Sequence, residues 1–336
     1  MAAHSSQASS SPPPTPWQRL TRMLDTERDT IRYIFFYALV AGLVSLTLPL
    51  GTQAVFNLVS TGAVFASTYI LIGVVVGGVL LGQMTLVEAI EQRLFAKAAI
   101  EFAYRLPRIK AEALEGQNPT ELVNRFFDIL TVQKGLTKLL IDLMFAGFQI
   151  VFGVLVLAFY HPVFIALGLF TILSIVGIYA LHYSRALNTS IDESAYKYEV
   201  VDWLEQVASD LPRYRNDAAQ REYALARTDE LTAGYLHARN GHFRVLKTYF
   251  NNGIALRLLL TGGLLIAGTL FVVSRQMSLG QFVAAEVLIV QISSAIEKLV
   301  SGVSTVFDML TGAEKLAAVT DLPLEEAKSQ TTEIHA

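Results

Sequence analysis

The sequence predicts an all-α polytopic membrane protein with six transmembrane helices and long cytoplasmic helical extensions. Of the 336 residues, 53% are hydrophobic and only 16% are charged, and the mean hydropathy is +0.45. A typical soluble domain is about 25% charged, so a soluble fold of this composition would lack the polar groups to cover its surface. The charged residues are also unevenly spread, and two long stretches, 33–87 and 143–184, contain none. A membrane β-barrel would instead show alternating strands of about ten residues, and the sequence has no such pattern.

The apolar stretches determine the number of spans. A helix needs about 20 apolar residues to cross the hydrocarbon core, so each charge-free stretch holds two spans and a short turn. A third apolar block, 243–306, also holds two spans, divided near residues 274–280, although it carries several charges. Pro49 with Gly51 predicts a kink in the first span. The predicted spans are about 31–58, 68–94, 138–160, 163–185, 246–273 and 280–306.

Lys and Arg residues concentrate on one side of these spans, which predicts the orientation. They lie in the N-terminal segment, in 88–140 and in 185–242, whereas the three outer turns hold only Arg275. Both termini are therefore predicted to be cytoplasmic, in a multi-pass protein of the cell (inner) membrane. The N-terminal residues are rich in Ser, Pro and Ala, without the basic start and apolar core of a cleaved signal peptide. In order, the predicted parts are a disordered tail, the membrane domain and a flexible C-terminal tail: 1–16, 17–322 and 323–336.

The two long cytoplasmic connections are predicted to be helical hairpins. Residues 88–140 and 185–242 are rich in good helix formers, and each is interrupted in its middle, at 106–119 and at 210–212, by Pro or Gly. Each connection therefore descends from the membrane, turns and climbs back. At about 1.5 Å per residue, its tip lies roughly 25–30 Å into the cytoplasm. Such tips are either solvated turns or docking points for a cytoplasmic partner.

Several short motifs, in their order and spacing, resemble the transmembrane domain of ABC exporters (the type-1 exporter fold), closest to type I secretion and bacteriocin exporters. Residues 118–129 (NPTELVNRFFDI) resemble the G-E-L-x-x-R-x-x-D-I stretch after the family's first coupling helix. Residues 204–215 (LEQVASDLPRYR) are similar to the second coupling-helix region, and 278–285 (SLGQFVAA) to the T-x-G-x-L-V-A entry of the sixth span. Residues 312–325 are similar to the family's exit towards its ATPase domain. The resemblance covers about 28–325.

This resemblance implies a membrane dimer, and the family usually continues into an ATPase domain. Because this sequence lacks the motifs of that domain, ATPase subunits on separate chains are expected. The sequence has no G-x-x-x-x-G-K-[ST] phosphate loop, so ATP and Mg²⁺ are expected on the partner ATPase and no cofactor is bound directly. In the family, the fourth and fifth spans cross to the other protomer. A homodimer and a heterodimer both fit, as does an added periplasmic membrane-fusion protein. The residues that the resemblance places in contact with the ATPase lie at the two tips: Ile109, Lys110, Glu112 and Leu114, and Asp210, Leu211, Pro212, Arg213 and Tyr214.

Polar and ionisable residues inside the spans are costly in lipid and are candidates for a translocation path or for intramembrane ion pairs. They are Asp142, Gln149, Arg257, Glu286, Gln291 and Glu297. By helix rise from the outer ends of their spans, Arg257, Glu297 and Asp142 lie about 24, 25 and 27 Å deep, so Arg257 is expected to pair with Glu297 or with Asp142. Such a pair is either static or part of gating and substrate contact. Glu286 lies only about 9 Å deep and either faces a wet central cavity or is a protonated, hydrogen-bonded carboxyl. The glutamines either line a polar path or join helices.

Other functional classes are disfavoured by composition and by the absence of a reactive site. The chain has no cysteine, which excludes thiolate chemistry, and its net charge of −3 argues against nucleic-acid binding. No nucleophile–base pair or metal-ligand spacing stands out. The sequence therefore predicts a non-enzymatic permease subunit that exports a substrate by alternating access, driven by ATPase subunits on separate chains. The competing interpretation is a non-transporting membrane scaffold or regulatory protein that kept the exporter fold without a motor.

Overall fold

A computed structural model gives the fold of most of the chain. The residues that it describes are 14–57, 65–114 and 119–325. Their regular structure is helical, and the only β feature within them is a single bridge between Ile109 and Leu324. The predicted all-α class is therefore confirmed. Most of the two predicted tails, 1–13 and 326–336, lies outside the described residues.

The described residues form long helices separated by short turns. In chain order, the α-helices are α1 (Pro16–Leu24), α2 (Arg28–Ser45), α3 (Thr47–Asn57), α4 (Phe65–Arg105), α5 (Ala111–Leu114), α6 (Pro119–Asn124), α7 (Asp128–Thr137), α8 (Met144–Ala158), α9 (Pro162–Ser209), α10 (Leu211–Asn216), α11 (Ala218–Val273) and α12 (Leu279–Thr320). Short 3-10 turns join α1 to α2, α4 to α5 and α6 to α7, and a π-helical turn, Lys138–Leu143, joins α7 to α8.

Five helical runs among the described residues are long and apolar enough to cross a membrane. They are Pro16–Gln53, Glu121–Ala158, Pro162–Ser209, Ala218–Val273 and Leu279–Thr320. The second predicted span, 68–94, lies within α4 and is not one of these five. By the length and composition of its helices, the chain is a membrane-embedded protein.

The first span is interrupted at Leu46, between α2 and α3, close to the kink predicted at Pro49. A proline lacks an N–H group, and its ring clashes with the carbonyl four residues earlier, which here belongs to Ser45. The helix therefore breaks one turn before the proline. The Thr47 hydroxyl donates to the Val44 carbonyl at 2.7 Å and satisfies one of the acceptors freed near the break.

The outer ends of two hairpins are held together by side-chain caps. The His161 ring accepts a hydrogen bond from a backbone N–H at the start of α9, bonds the Gln276 side chain at 3.1 Å and stacks on Phe271 with centroids 3.7 Å apart. Ser278 and Gln281 form a reciprocal capping box at the start of α12. These contacts join the α8–α9 turn to the α11–α12 turn.

Helix α12 lies at the centre of the bundle and packs against α7, α8, α9 and α11. Towards the C-terminal end of α12, Phe307 and Leu310 belong to an apolar cluster that also holds Tyr249. Nearer its N-terminal end, Leu288 and Ile292 pack with residues of α8 and α11 in a second cluster. One helix therefore connects both parts of the core, and the side of α12 that faces away from these two clusters is left exposed.

Several helices approach α12 closely through glycines. A Cβ atom built on Gly135 of α7 would lie 2.3 Å from the Met309 Cβ, and one built on Gly302 of α12 would lie 2.6 Å from a methyl group of Leu143. Both distances are far shorter than van der Waals contact. The α7–α12 packing therefore requires a residue without a side chain at position 135.

We expect Gly135→Ala to lower the free energy of unfolding by about 1–3 kcal/mol, since overfilling a packed interface forces the helices apart. Thermal unfolding of the purified protein measures this. Gly147→Ala in α8 is the matched control, because a Cβ there meets nothing within 4 Å. If Gly135→Ala lowers the stability no more than Gly147→Ala does, α7 and α12 do not pack as closely as the structure shows.

The α9–α11 hairpin packs on α7 and α12 of its own chain. The Ser190 and Thr311 hydroxyls are 2.9 Å apart, which joins α9 to α12. The Tyr198 hydroxyl donates to the carboxylate of Asp128, which joins α9 to α7. The resemblance to the exporter family implies that this hairpin crosses to a partner, whereas in this structure it is seated within one chain.

Candidate functional site

The exposed face of α12 is polar over most of the length of this membrane helix. Residues three or four apart share one side of an α-helix, and the exposed positions follow this spacing. After Leu279 at the start of α12, the exposed positions are Glu286, Val290, Ser294, Glu297, Ser301 and Asp308, and we call these six positions the α12 stripe. The opposite face is apolar and buried, with Leu288, Ile292 and Ile296 in the core. Five of the six stripe residues are therefore polar or charged on an otherwise apolar helix.

An ion pair joins the α12 stripe to α11. The Arg257 Nη1 lies 2.7 Å from the Glu297 Oε2, and the side chains are 39% and 59% exposed. Of the two pairings expected for Arg257, the structure contains this one and not the one with Asp142. The Asp142 carboxylate instead bonds Lys138, one helical turn earlier, at 2.7 Å.

A groove between α11 and α12 contains this ion pair. It has a volume of about 490 Å³. Its lining residues are Ile254, Arg257, Leu258, Thr261, Val290, Ser293, Ser294 and Glu297. Only 7% of the Ser293 surface is exposed, and its hydroxyl has no hydrogen-bond partner among the described residues. The groove therefore combines two opposite charges, three hydroxyl groups and apolar walls.

The other candidate residues of the spans fall into two groups. Glu286 is exposed on the α12 stripe and forms no salt bridge within the described part of the chain. The two glutamines lie between helices instead. Gln149 is buried in α8, and the Gln291 Nε2 donates to the Ser45 carbonyl at 3.2 Å. That carbonyl is the one whose helical donor Pro49 removes, so Gln291 stabilises the break in the first span rather than lining a path.

The second of the two predicted tips is a short exposed helix, α10. Of the five residues predicted to contact a partner there, Asp210, Leu211, Pro212 and Arg213 are exposed. Tyr214 is half-buried and packs edge-on against Trp203, with ring centroids 6.5 Å apart. The exposed fraction of Leu211 is 51%, which is high for an apolar side chain at the end of a hairpin. This tip therefore presents an apolar residue beside charges.

The first tip is tied to the segment that follows α12. Residues 323–325, placed in the flexible tail by the sequence, pair antiparallel with 108–110 through two backbone hydrogen bonds of 2.8 and 3.0 Å. Ile109 is buried beneath this pairing. It therefore anchors the tip and has little surface left for a partner. Glu112 is exposed and Leu114 half-buried on the short helix α5, so they remain accessible.

A cluster of charges that sequence reasoning did not single out as a site lies between α7, α9, α11 and α12. We call it the inner cluster. It surrounds a cavity of about 250 Å³. Its charged members are Asp128, Glu193, Lys197, Arg239 and Asp308. Glu193 and Arg239 form a salt bridge of 2.8 Å. The fit of residues 118–129 to an R-x-x-D pattern was the one sequence signal that pointed to Asp128.

Burial shifts the titration of several groups at the inner cluster. It raises the pKa of the Asp128 carboxyl, although the hydrogen bond from Tyr198 opposes the shift. Packing around the carboxyl raises the pKa of Asp308, although the residue as a whole is exposed on the α12 stripe, and burial lowers the pKa of His242, whose imidazole is fully buried. The His242 Nδ1 is hydrogen-bonded to the Thr189 hydroxyl at 2.9 Å, while its Nε2 has no partner among the described residues.

We expect His242 to make the protein less stable as the pH falls. Its pKa in the fold is below the unfolded value of about 6.5, so protons bind preferentially to the unfolded chain below that pH. The raised pKa values of Asp128 and Asp308 have the opposite effect on the pH dependence of stability. Both carboxyls are present in the wild type and in the His242→Gln variant, so they do not affect the comparison. His242→Gln should therefore reduce the fall in the thermal midpoint between pH 7.5 and 5.5. If the thermal midpoint of His242→Gln falls as steeply with pH as that of the wild type, the conclusion that His242 is buried in its neutral form is wrong.

The comparisons with known proteins leave the family open. No protein-family model matches this sequence, and no curated protein gives a significant match. The resemblance to ABC exporters therefore depends on the order and spacing of the short motifs described above.

Proposed function

We propose that this chain is the membrane permease subunit of an ABC-type exporter, with six spans and both termini in the cytoplasm of a cell with an inner membrane. The observation that carries this proposal is the α12 stripe. A helix that is apolar enough to cross a membrane has one face on which Glu286, Ser294, Glu297 and Ser301 are exposed. Such groups are expensive in lipid and are typical of substrate and ion pathways.

A pathway of this kind needs a second wall, which a second permease chain supplies. In the proposed dimer, the α12 stripes of the two chains face a central water-filled path. Glu286 lies near its outer end and Asp308 near its inner end, so the path runs the length of the helix. The remaining exposed apolar faces contact the bilayer.

Energy for transport comes from ATPase subunits on separate chains, which hold ATP and Mg²⁺. The tips at α5 and α10 are the contact points in this proposal. The exposed Leu211 supports this contact, because an apolar side chain near the charges of Asp210 and Arg213 is suited to a shallow pocket on a partner protein. ATP binding closes the tips and opens the outer side, a two-state switch biased by nucleotide. A periplasmic membrane-fusion protein is a further proposed partner.

Co-purification tests this proposal. Tagged full-length protein extracted from its native membranes should bring down an ATPase chain and vanadate-sensitive ATP hydrolysis. Leu211→Asp should remove both. Leu225→Asp is the matched control, because Leu225 is 73% exposed on α11 and lies away from the tip. A stable dimer that carries no ATPase chain would contradict the permease and support the non-transporting scaffold.

A further inference from the structure

We infer that the groove between α11 and α12 binds the zwitterionic head group of an amphiphile of the phospholipid kind. This inference rests on the proposed function, because it treats the groove as part of the proposed path and so names a substrate class for it. It begins from three features of the groove: its ion pair, its unpartnered hydroxyl and the direction of its apolar walls.

The ion pair is complementary to a head group that carries both signs of charge. Arg257 and Glu297 lie 2.7 Å apart and both remain partly exposed. A phosphate matches the fork of N–H donors on the guanidinium, and an ammonium group matches the carboxylate. A zwitterion satisfies both residues at once. An anionic head group would meet Arg257 but would be repelled by Glu297.

The hydroxyl groups give the groove further hydrogen-bonding capacity beside the charges. Ser293 is 93% buried, at 7% exposure, and its hydroxyl has no partner among the described residues although it lines the groove. Buried polar groups are almost always hydrogen-bonded, so an unpaired one at a cavity wall points to a ligand. Thr261 and Ser294 line the same groove. The glycerol ester oxygens of a phospholipid are acceptors that these hydroxyls can reach next to the phosphate.

Two of the three apolar residues that line the groove, Leu258 and Val290, lie outward of the ion pair, and the third, Ile254, lies about one turn inward on α11. Helices α11 and α12 are antiparallel, so Leu258 follows Arg257 outward along one helix and Val290 precedes Glu297 outward along the other. Leu258 is 68% exposed and Val290 is 62% exposed. The charges lie about 24–25 Å from the outer ends of their predicted spans, near the inner edge of a hydrocarbon core about 30 Å thick. A head group at the ion pair therefore places its acyl chains between Leu258 and Val290.

Native mass spectrometry of the purified full chain tests this site without any ATPase. We expect phosphatidylethanolamine to bind about tenfold more tightly than phosphatidylglycerol with the same acyl chains, because only the former has an ammonium group for Glu297. Glycerophosphoethanolamine, which has the head but no acyl chains, should bind far more weakly. Glu297→Gln should remove most of the preference. Glu222→Gln, at an exposed position of α11 outside both the groove and the α12 stripe, should keep it.

Three results would overturn the inference. The first is equal binding of the two phospholipids, and the second is a Glu297→Gln variant with unchanged preference. The third is a wild-type dimer that binds neither lipid and falls apart in Glu297→Gln, which would show that a second copy of the chain covers the groove. None of these results decides the ATPase co-purification, so the lipid site and the permease proposal can fail separately.

Discussion

Asp128→Ala will lower the free energy of unfolding by about 2–4 kcal/mol, because Asp128 is the buried acceptor that joins two cytoplasmic helices. Its carboxylate is 6% exposed and accepts a hydrogen bond from Tyr198 of α9. The Lys315 ammonium lies 5.2 Å from the centre of the Tyr198 ring. Removing the carboxylate leaves the phenol without its acceptor and takes away one of the two acidic groups, Asp128 and Glu121, whose charges act on the half-buried lysine. Thermal unfolding in detergent or in lipid discs measures the loss.

Asp142→Ala is the matched control for this substitution. Asp142 lies in the same helical run, but its carboxylate is 41% exposed and pairs only with Lys138 one turn away. Exposed pairs of this kind contribute about 0–1 kcal/mol. Tyr198→Phe should fall between the two, since it removes the donor and leaves the carboxylate in place. If Asp128→Ala lowers the free energy of unfolding no more than Asp142→Ala does, α9 does not pack on α7 as the structure shows.

The Ser190→Cys, Thr311→Cys double variant will form a disulfide within one chain in nearly every molecule on mild oxidation. The two hydroxyl oxygens are 2.9 Å apart across α9 and α12. A disulfide needs side chains that approach this closely, with Cα atoms about 4.4–6.8 Å apart. The chain has no native cysteine, so no background thiol interferes. A maleimide of high mass should fail to label the oxidised protein, which should migrate as a monomer.

A covalent dimer in the same experiment would mean that the α9–α11 hairpin crosses to a partner, as the resemblance to exporters implies. The two single variants are the controls, because each has one thiol and should stay fully reactive to maleimide. The experiment therefore distinguishes a hairpin seated in its own chain from one exchanged between chains. The inner cluster would belong to one protomer in the first case and to both in the second.

The local features of the fold were predictable from the sequence because their causes are local. Apolar stretches give long helices, Pro49 breaks the first span, and Pro212 lies at the tip of the second cytoplasmic hairpin, at the start of α10. Helix rise gave only a predicted depth for the ionisable residues, and it placed Asp142, Arg257 and Glu297 at one level. Which two meet depends on the rotation of each helix, which only the packed bundle shows.

The remaining site residues depend on contacts between distant parts of the chain. Gln291 bonds the carbonyl of Ser45, and Tyr198 bonds Asp128, across helices that the sequence alone does not place side by side. The pairing of 323–325 with 108–110 likewise joins segments that have little helical or apolar signal of their own. The α12 stripe was predictable only in part. The spacing of its polar residues is visible in the sequence, but which face of the helix stays exposed depends on the packing of several other helices.

Water access along the α12 stripe is the most direct test of the proposed permease. Single cysteines at Ser294 and Ser301 should react with a charged methanethiosulfonate reagent in inverted membrane vesicles, because a transport path contains water. Cysteines at Leu173 and Ile266, which are 68% and 69% exposed in the isolated chain, should stay unreactive because lipid covers them. The opposite result, Ser294→Cys and Ser301→Cys as unreactive as the two apolar positions, would mean that the stripe is sealed or faces lipid and would contradict a translocation path.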